Sequence, residues 1–170
     1  MFKKGDLVLY KNIGVCRITD ITTLDFLEDL DQKFYVMESV FKNGVNYVPL
    51  NKDIENIREI VSKDEIDRVI IELKQNKIEP LLDINAKQMT KIYEDLLNSG
   101  DIKDILKLSI SIDKKRHVLE KENKKIGAID ENFYRKSMEI FLEEVAASLD
   151  KSKDEALKYV ENKSDYVFTY

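Results

Sequence analysis

Up to about residue 60, apolar side chains recur at every second position, and from residue 63 onward they recur at every third and fourth. A period of two belongs to strands and a period of about 3.6 to helices. The chain therefore predicts an α+β protein, with a small β barrel over residues 1–62 and a compact helical domain over residues 63–170. At 170 residues it can bury one moderate core or two small ones, and the change of period favours two.

Leu7 and Leu9, then Val15, Arg17 and Thr19, keep the two-residue period and predict two short strands joined around Lys11-Asn12-Ile13-Gly14. Gly14 is expected to supply a backbone angle that other residues disfavour. The acidic stretch from Asp25 to Asp31 predicts a loop. Phe34-Tyr35-Val36-Met37 opens a hairpin that turns at Lys42-Asn43-Gly44, where Asn-Gly is a strong turn signal, and returns through Val45 to Val48. Pro49 has no N–H to give a ladder, so the returning strand ends there or lies at an edge. An edge leaves backbone donors and acceptors unpaired. Either the loop 24–33 covers them or a partner does.

The helical half is punctuated by caps. Ser62-x-x-Glu65 is a capping box, and Ile66, Val69, Ile70 and Leu73 share one face of a helix over 63–75. After Pro80, Asn85-x-x-Gln88 caps a second helix carrying Met89, Ile92, Tyr93, Leu96 and Leu97, which stops at Ser99-Gly100. Asp101 caps a third helix through Ile112, Asp130 starts a fourth along Phe133 to Leu149, and Ser152-x-x-Glu155 caps a fifth to about Glu161. The tail 163–170 is β-prone and is expected to order only by contact. The short connections imply a bundle.

Charged residues make up 36% of the chain and hydrophobic ones 43%, a balance that folds. The net charge of -5 argues against duplex DNA as a partner held by global charge, so any nucleic-acid contact needs a local patch. Cys16 has no second cysteine to pair with and reads as a small buried hydrophobe. No stretch approaches the roughly 20 apolar residues of a membrane span, and the N-terminal lysines are followed by Gly5-Asp6. A cytoplasmic location without a membrane partner is expected.

Catalytic chemistry finds no candidates. His117 is the only histidine, the glycines are isolated, and the acidic pairs Glu143-Glu144 and Glu120 with Glu122 read as solvated helix faces. No catalytic residue, metal, cofactor or small-molecule substrate is expected. The one basic run is Lys114-Lys115-Arg116-His117, continued by Lys121, Lys124 and Lys125, with Lys87 and Lys91 one helical turn apart elsewhere. Such runs are solvated faces paired at i,i+4 in most helices. The alternative is a face that contacts phosphates without reading sequence.

Lys4-Gly5-Asp6-Leu7-Val8-Leu9-Tyr10, Ile13-Gly14-Val15 and Val48-Pro49-Leu50 together resemble the RNA-polymerase-interacting domain of the CarD family of bacterial transcription regulators, a module that also occurs in transcription-repair coupling factors. Ser99-Gly100-Asp101, and Ile129-Asp130-Glu131 leading into Met138-x-x-Phe141-Leu142-x-Glu144-Val145-Ala146, are similar to the CarD helical domain. The resemblance implies a Tudor-like or SH3-like barrel that binds the polymerase β subunit. It also implies a helical domain that touches promoter DNA at the upstream edge of the bubble and alters open-complex stability. On this chain it places the polymerase contact at Val45, Asn46, Tyr47, Val48 and Pro49, and a weak DNA contact at Lys87, Lys91, Lys114, Lys115 and Arg116.

The chain departs from that family pattern at several positions. Ala86 follows Asn85 where a wedging tryptophan is common, and the sequence has no tryptophan. Gln88, Met89 and Ile110 stand in place of basic residues, and Tyr47 in place of an arginine. These departures support an alternative expectation, an adaptor whose helical domain binds protein rather than DNA.

Overall fold

The computed structural model of the protein describes residues 1–11, 13–23, 32–51 and 54–170. The acidic loop Asp25 to Asp31, and with it the question of what loop 24–33 covers, lies outside the described residues, as does Asn12 of the first turn. The chain divides into two units, Met1–Ile60 and Val61–Tyr170.

The first unit is one antiparallel sheet of β1 (Leu7–Tyr10), β2 (Gly14–Thr23), β3 (Lys33–Ser39), β4 (Val45–Pro49) and β5 (Ile57–Glu59). Gly14 takes φ 115°, the left-handed angle expected of it, and lets β1 turn straight into β2. Cross-strand pairs Val8 with Cys16, Ile18 with Met37 and Tyr35 with Val48 put one set of side chains on a shared face. With Ile57 they form the core of the unit, and Phe2, Tyr10 and Leu50 pack against it. Leu9 and Val15, paired across the same strands, are buried as well, so the first hairpin hides both of its faces and the expected single apolar stripe is incomplete. The register shifts between Ile18 and Asp20, where Thr19 bulges and donates its hydroxyl to Val36 O at 3.2 Å.

Two expectations for this unit are corrected. The strand order β4-β3-β2-β1-β5 leaves β4 and β5 at opposite ends, so the sheet is not closed into a barrel. The chain leaves β4 at Pro49, which cannot donate to a further ladder, and passes through a 3-10 turn at Ile54–Asn56 before β5 pairs with β1. The hairpin between β3 and β4 also turns more widely than over the expected Lys42-Asn43-Gly44 alone. Ser39 N–H donates to Gly44 O at 3.0 Å, closing a loop over Val40 to Gly44, and Val40 N–H turns away to Val15 O at 3.0 Å.

The second unit holds α1 (Lys63–Gln75), α2 (Ala86–Asn98), α3 (Ile102–Lys121), α4 (Ala128–Leu149) and α5 (Lys153–Ser164). Ser62, Asn85, Asp101 and Ser152 cap α1, α2, α3 and α5 through their side chains, as expected from sequence. The third helix runs on to Lys121, beyond the predicted Ile112. The fourth begins at Ala128 with Gly127 as its cap, and Asp130 sits inside the first turn, accepting Gly127 N–H at 3.3 Å. Buried Ser109 and Ser137 hydroxyls meet at 2.8 Å where α3 crosses α4.

Glu143 and Glu144 are not a solvated face. Both are buried, and Glu144 Oε1 accepts Val61 N–H at 3.0 Å. The tail forms no strand but lies on the bundle: the Tyr166 hydroxyl donates to Asp113 Oδ2 at 2.9 Å, Phe168 is buried, and its N–H donates to Glu161 Oε1 at 2.9 Å. No helix among the described residues is long and apolar enough to cross a membrane.

Candidate functional site

Strand β4 pairs with β3 alone and ends the sheet. Which of its backbone groups face outward follows from the ladder. Gly44 O accepts from Ser39 N–H, and Leu50 N–H donates to Lys33 O at 2.9 Å, so even-numbered residues from Gly44 to Leu50 point toward β3. Asn46 and Val48 are thus used inside the sheet, and the Val48 side chain is core. Val45, Tyr47 and Pro49 turn their backbone groups to the open side; the first two offer N–H and C=O, the proline only C=O. Val45 and Tyr47 also leave 52% and 53% of their surface exposed. Among the described residues nothing pairs with that edge.

The helical candidates are arranged differently. Lys87 and Lys91 stand exposed one turn apart on α2, beside Thr90, Glu94 and Asp95. The run on α3 is engaged within the bundle. Lys114 Nζ donates to Ile78 O at 2.9 Å. Lys115 Nζ reaches Asp130 Oδ1 at 2.9 Å with its side chain 13% exposed. Arg116, 15% exposed, pairs with Glu131 at 2.7 Å and lies over the Tyr134 ring at 5.0 Å. Asp113, one turn back on α3, lies 3.7 Å from Arg116 Nε, but Asp130, Glu131 and Tyr134 sit on α4, where spacing within the run does not reveal them.

Asp130 and Asp113 anchor these contacts. Asp130 is buried and also accepts the Tyr93 hydroxyl at 2.8 Å; burial first, and then this carboxylate, push the Tyr93 hydroxyl above its usual range. Burial and then the charge of Asp113 do the same to Tyr134, while Tyr166 is raised by burial and by its bond to Asp113. Sequence reasoning had placed Asp130 as a helix start and left Asp113 without a role. Their partners come from elements distant in sequence, Tyr93 on α2 and Lys115 on α3 for Asp130, and Tyr166 in the tail for Asp113. Cys16 is buried, as its strand position implied. His117 lies at the surface with Nε2 3.0 Å from Thr169 Oγ1.

Residues 2–61 match the family model of the CarD-like/TRCF RID domain, a domain that interacts with RNA polymerase. The N-terminal unit is a CarD-like RID domain. The match covers the whole five-stranded sheet, from the residues preceding β1 to those following β5, and supports a transcription-related function through interaction with RNA polymerase. The helical unit lies beyond the residues matched to the RID domain, and no curated protein matches the chain.

Proposed function

We propose that the protein is a transcription regulator of the CarD type that docks on the polymerase β subunit by adding a strand to the free edge of β4. The observation that carries this reading is the edge itself, an end strand with outward backbone groups at Val45, Tyr47 and Pro49 and two exposed side chains. Strand addition draws affinity from such main-chain groups and specificity from alternate side chains. Once docked, the protein would alter promoter open-complex stability. A preference of about 1.4 kcal/mol for the open state changes that equilibrium tenfold.

For the helical unit, the engagement of Lys115 and Arg116 with α4 favours the reading in which it binds protein. A DNA contact would rest mainly on Lys87 and Lys91, with tethering to polymerase supplying effective concentration.

The test is capture of the β-subunit lobe by the full chain, repeated with Val45→Lys and Tyr47→Glu. Loss of capture by folded variants supports docking at β4, and undiminished capture by both overturns it. Salt-dependent retention of a forked duplex that Lys87→Ala with Lys91→Ala abolishes would favour DNA over protein as the helical unit's partner.

A further inference from the structure

Within the helical unit, the C-terminal end of α1, the middle of α3, the end of α5 and the tail line a partly open cavity of about 300 Å³. That is near the lower end of the range for ligand pockets. Its walls include Leu73, Leu106, Ile110, Val160 and Phe168, all buried. These side chains give an apolar guest dispersion contacts on one side of the space, while Gln75, Asn76, Ser164 and Asp165 make the rest of its lining polar.

One cationic side chain in the wall sets the guest's polarity. Lys114 lines the cavity, is only partly exposed, and donates to the main-chain carbonyl of Ile78. Among the described residues no carboxylate forms an ion pair with it. The other two lysines in the wall are paired, Lys74 with Asp165 and Lys77 with Glu79 at 2.8 Å. Glu79 feels Lys114 only at longer range, its carboxyl being held below the usual value by Lys77 first and by Lys114 last. A partly desolvated ammonium beside an apolar space is matched by a ligand with one anionic head and a short apolar body.

We propose that this cavity binds a small amphipathic monocarboxylate, with the carboxylate on Lys114 Nζ and the hydrocarbon against Ile110, Val160 and Phe168. The site is independent of the docking edge on the sheet. Because Tyr166 and Phe168 form part of the wall, its occupancy also holds the tail on the bundle.

The test uses the full chain with octanoate as the probe and 1-octanol as its uncharged counterpart, followed by calorimetry and by methyl resonances. Octanoate is expected to bind saturably, about tenfold more tightly than octanol, and to shift the methyls of Ile70, Ile110 and Val160. Lys114→Met should erase the preference for the acid while leaving octanol binding in place. Ile110→Trp, or Val160→Phe if the first does not fold, should abolish both. Non-saturating shifts, methyl shifts confined to other parts of the chain, or undiminished octanoate binding by a folded cavity-filling variant would overturn the site. Equal loss of acid and alcohol in Lys114→Met would overturn the assigned role of Lys114.

Discussion

The sheet unit and the helical unit treat their polar groups in opposite ways. Along the outer side of β4, the backbone at Val45, Tyr47 and Pro49 faces away from the ladder, with exposed side chains beside it. In the bundle, the most basic stretch of the chain is turned inward: Lys115 onto Asp130, Arg116 onto Glu131 and Tyr134, Lys114 onto Ile78 O. A run of cations in a sequence is therefore no measure of cationic surface. A strand with modest side chains, by contrast, can offer a partner more than its composition suggests. The unit with the plainer sequence has the more available interface.

The contrast is broken most decisively at Asp130. Asp130→Ala leaves Lys115 largely buried without its carboxylate and Tyr93 without its acceptor, and is expected to cost about 3–5 kcal/mol in urea unfolding followed by circular dichroism. Lys87→Ala with Lys91→Ala, on the exposed face of α2, should stay within about 0.5 kcal/mol of the parent for each change. Similar losses from both would mean that the run on α3 is not an internal element. On the sheet, Val45→Pro removes a single outward N–H and no ladder bond. Its thermal midpoint should hold near that of Val45→Ala, while binding to the polymerase β lobe weakens by about 1–3 kcal/mol relative to Val45→Ala. Equal binding by the two variants would show that side chains, rather than main-chain groups, make the contact.

How much of this was legible in the sequence depended on the range of the interaction. Features set by neighbouring residues were readable: the left-handed Gly14, the caps at Ser62, Asn85, Asp101 and Ser152, and the switch of period that separates sheet from bundle. Pro49 showed that β4 either ends there or lies at an edge, and the strand does both. Features set by distant pairing were not readable. Whether the sheet closes depends on β4 meeting β5, which no local pattern encodes. The burial of Glu143 and Glu144, the inward turn of Lys115 and Arg116, and the seating of Phe168 all depend on which helix lies opposite. Among the candidate docking residues, the alternation that turns Val45, Tyr47 and Pro49 outward and Asn46 and Val48 inward follows from register, which sequence left open by one position.

Local capping gives the next smaller effect. Ser152 accepts Glu155 N–H through its hydroxyl at 3.2 Å, and its own N–H donates to Glu155 Oε2 at 3.0 Å. Ser152→Ala should lower stability by about 1 kcal/mol by the same unfolding assay. A cost as large as that of Asp130→Ala would show that α5 is held by its cap more than by its packing on α4 and α1.

A smaller effect than that of the cap is expected where an ion pair lies near the surface, at the clamp between α1 and α5. Lys163 Nζ lies 2.6 Å from Asp67 Oδ2, and the Tyr159 hydroxyl donates to Asp67 Oδ1 at 2.5 Å. Burial pushes the Asp67 carboxyl up, but the bonds from Lys163 and Tyr159, with the charges of Lys163 and Lys63, outweigh it, so the carboxyl titrates below its ordinary value. A carboxyl depressed in the folded state adds stability above its unfolded pKa of about 3.9, and loses that contribution as the pH falls through the folded value. Asp67→Asn should therefore cost about 0.5–1 kcal/mol near neutral pH, with the gap from the parent narrowing as the pH is taken below about 4. A gap that stays constant with pH would mean that Asp67 holds α5 as a hydrogen-bond acceptor and not through its charge.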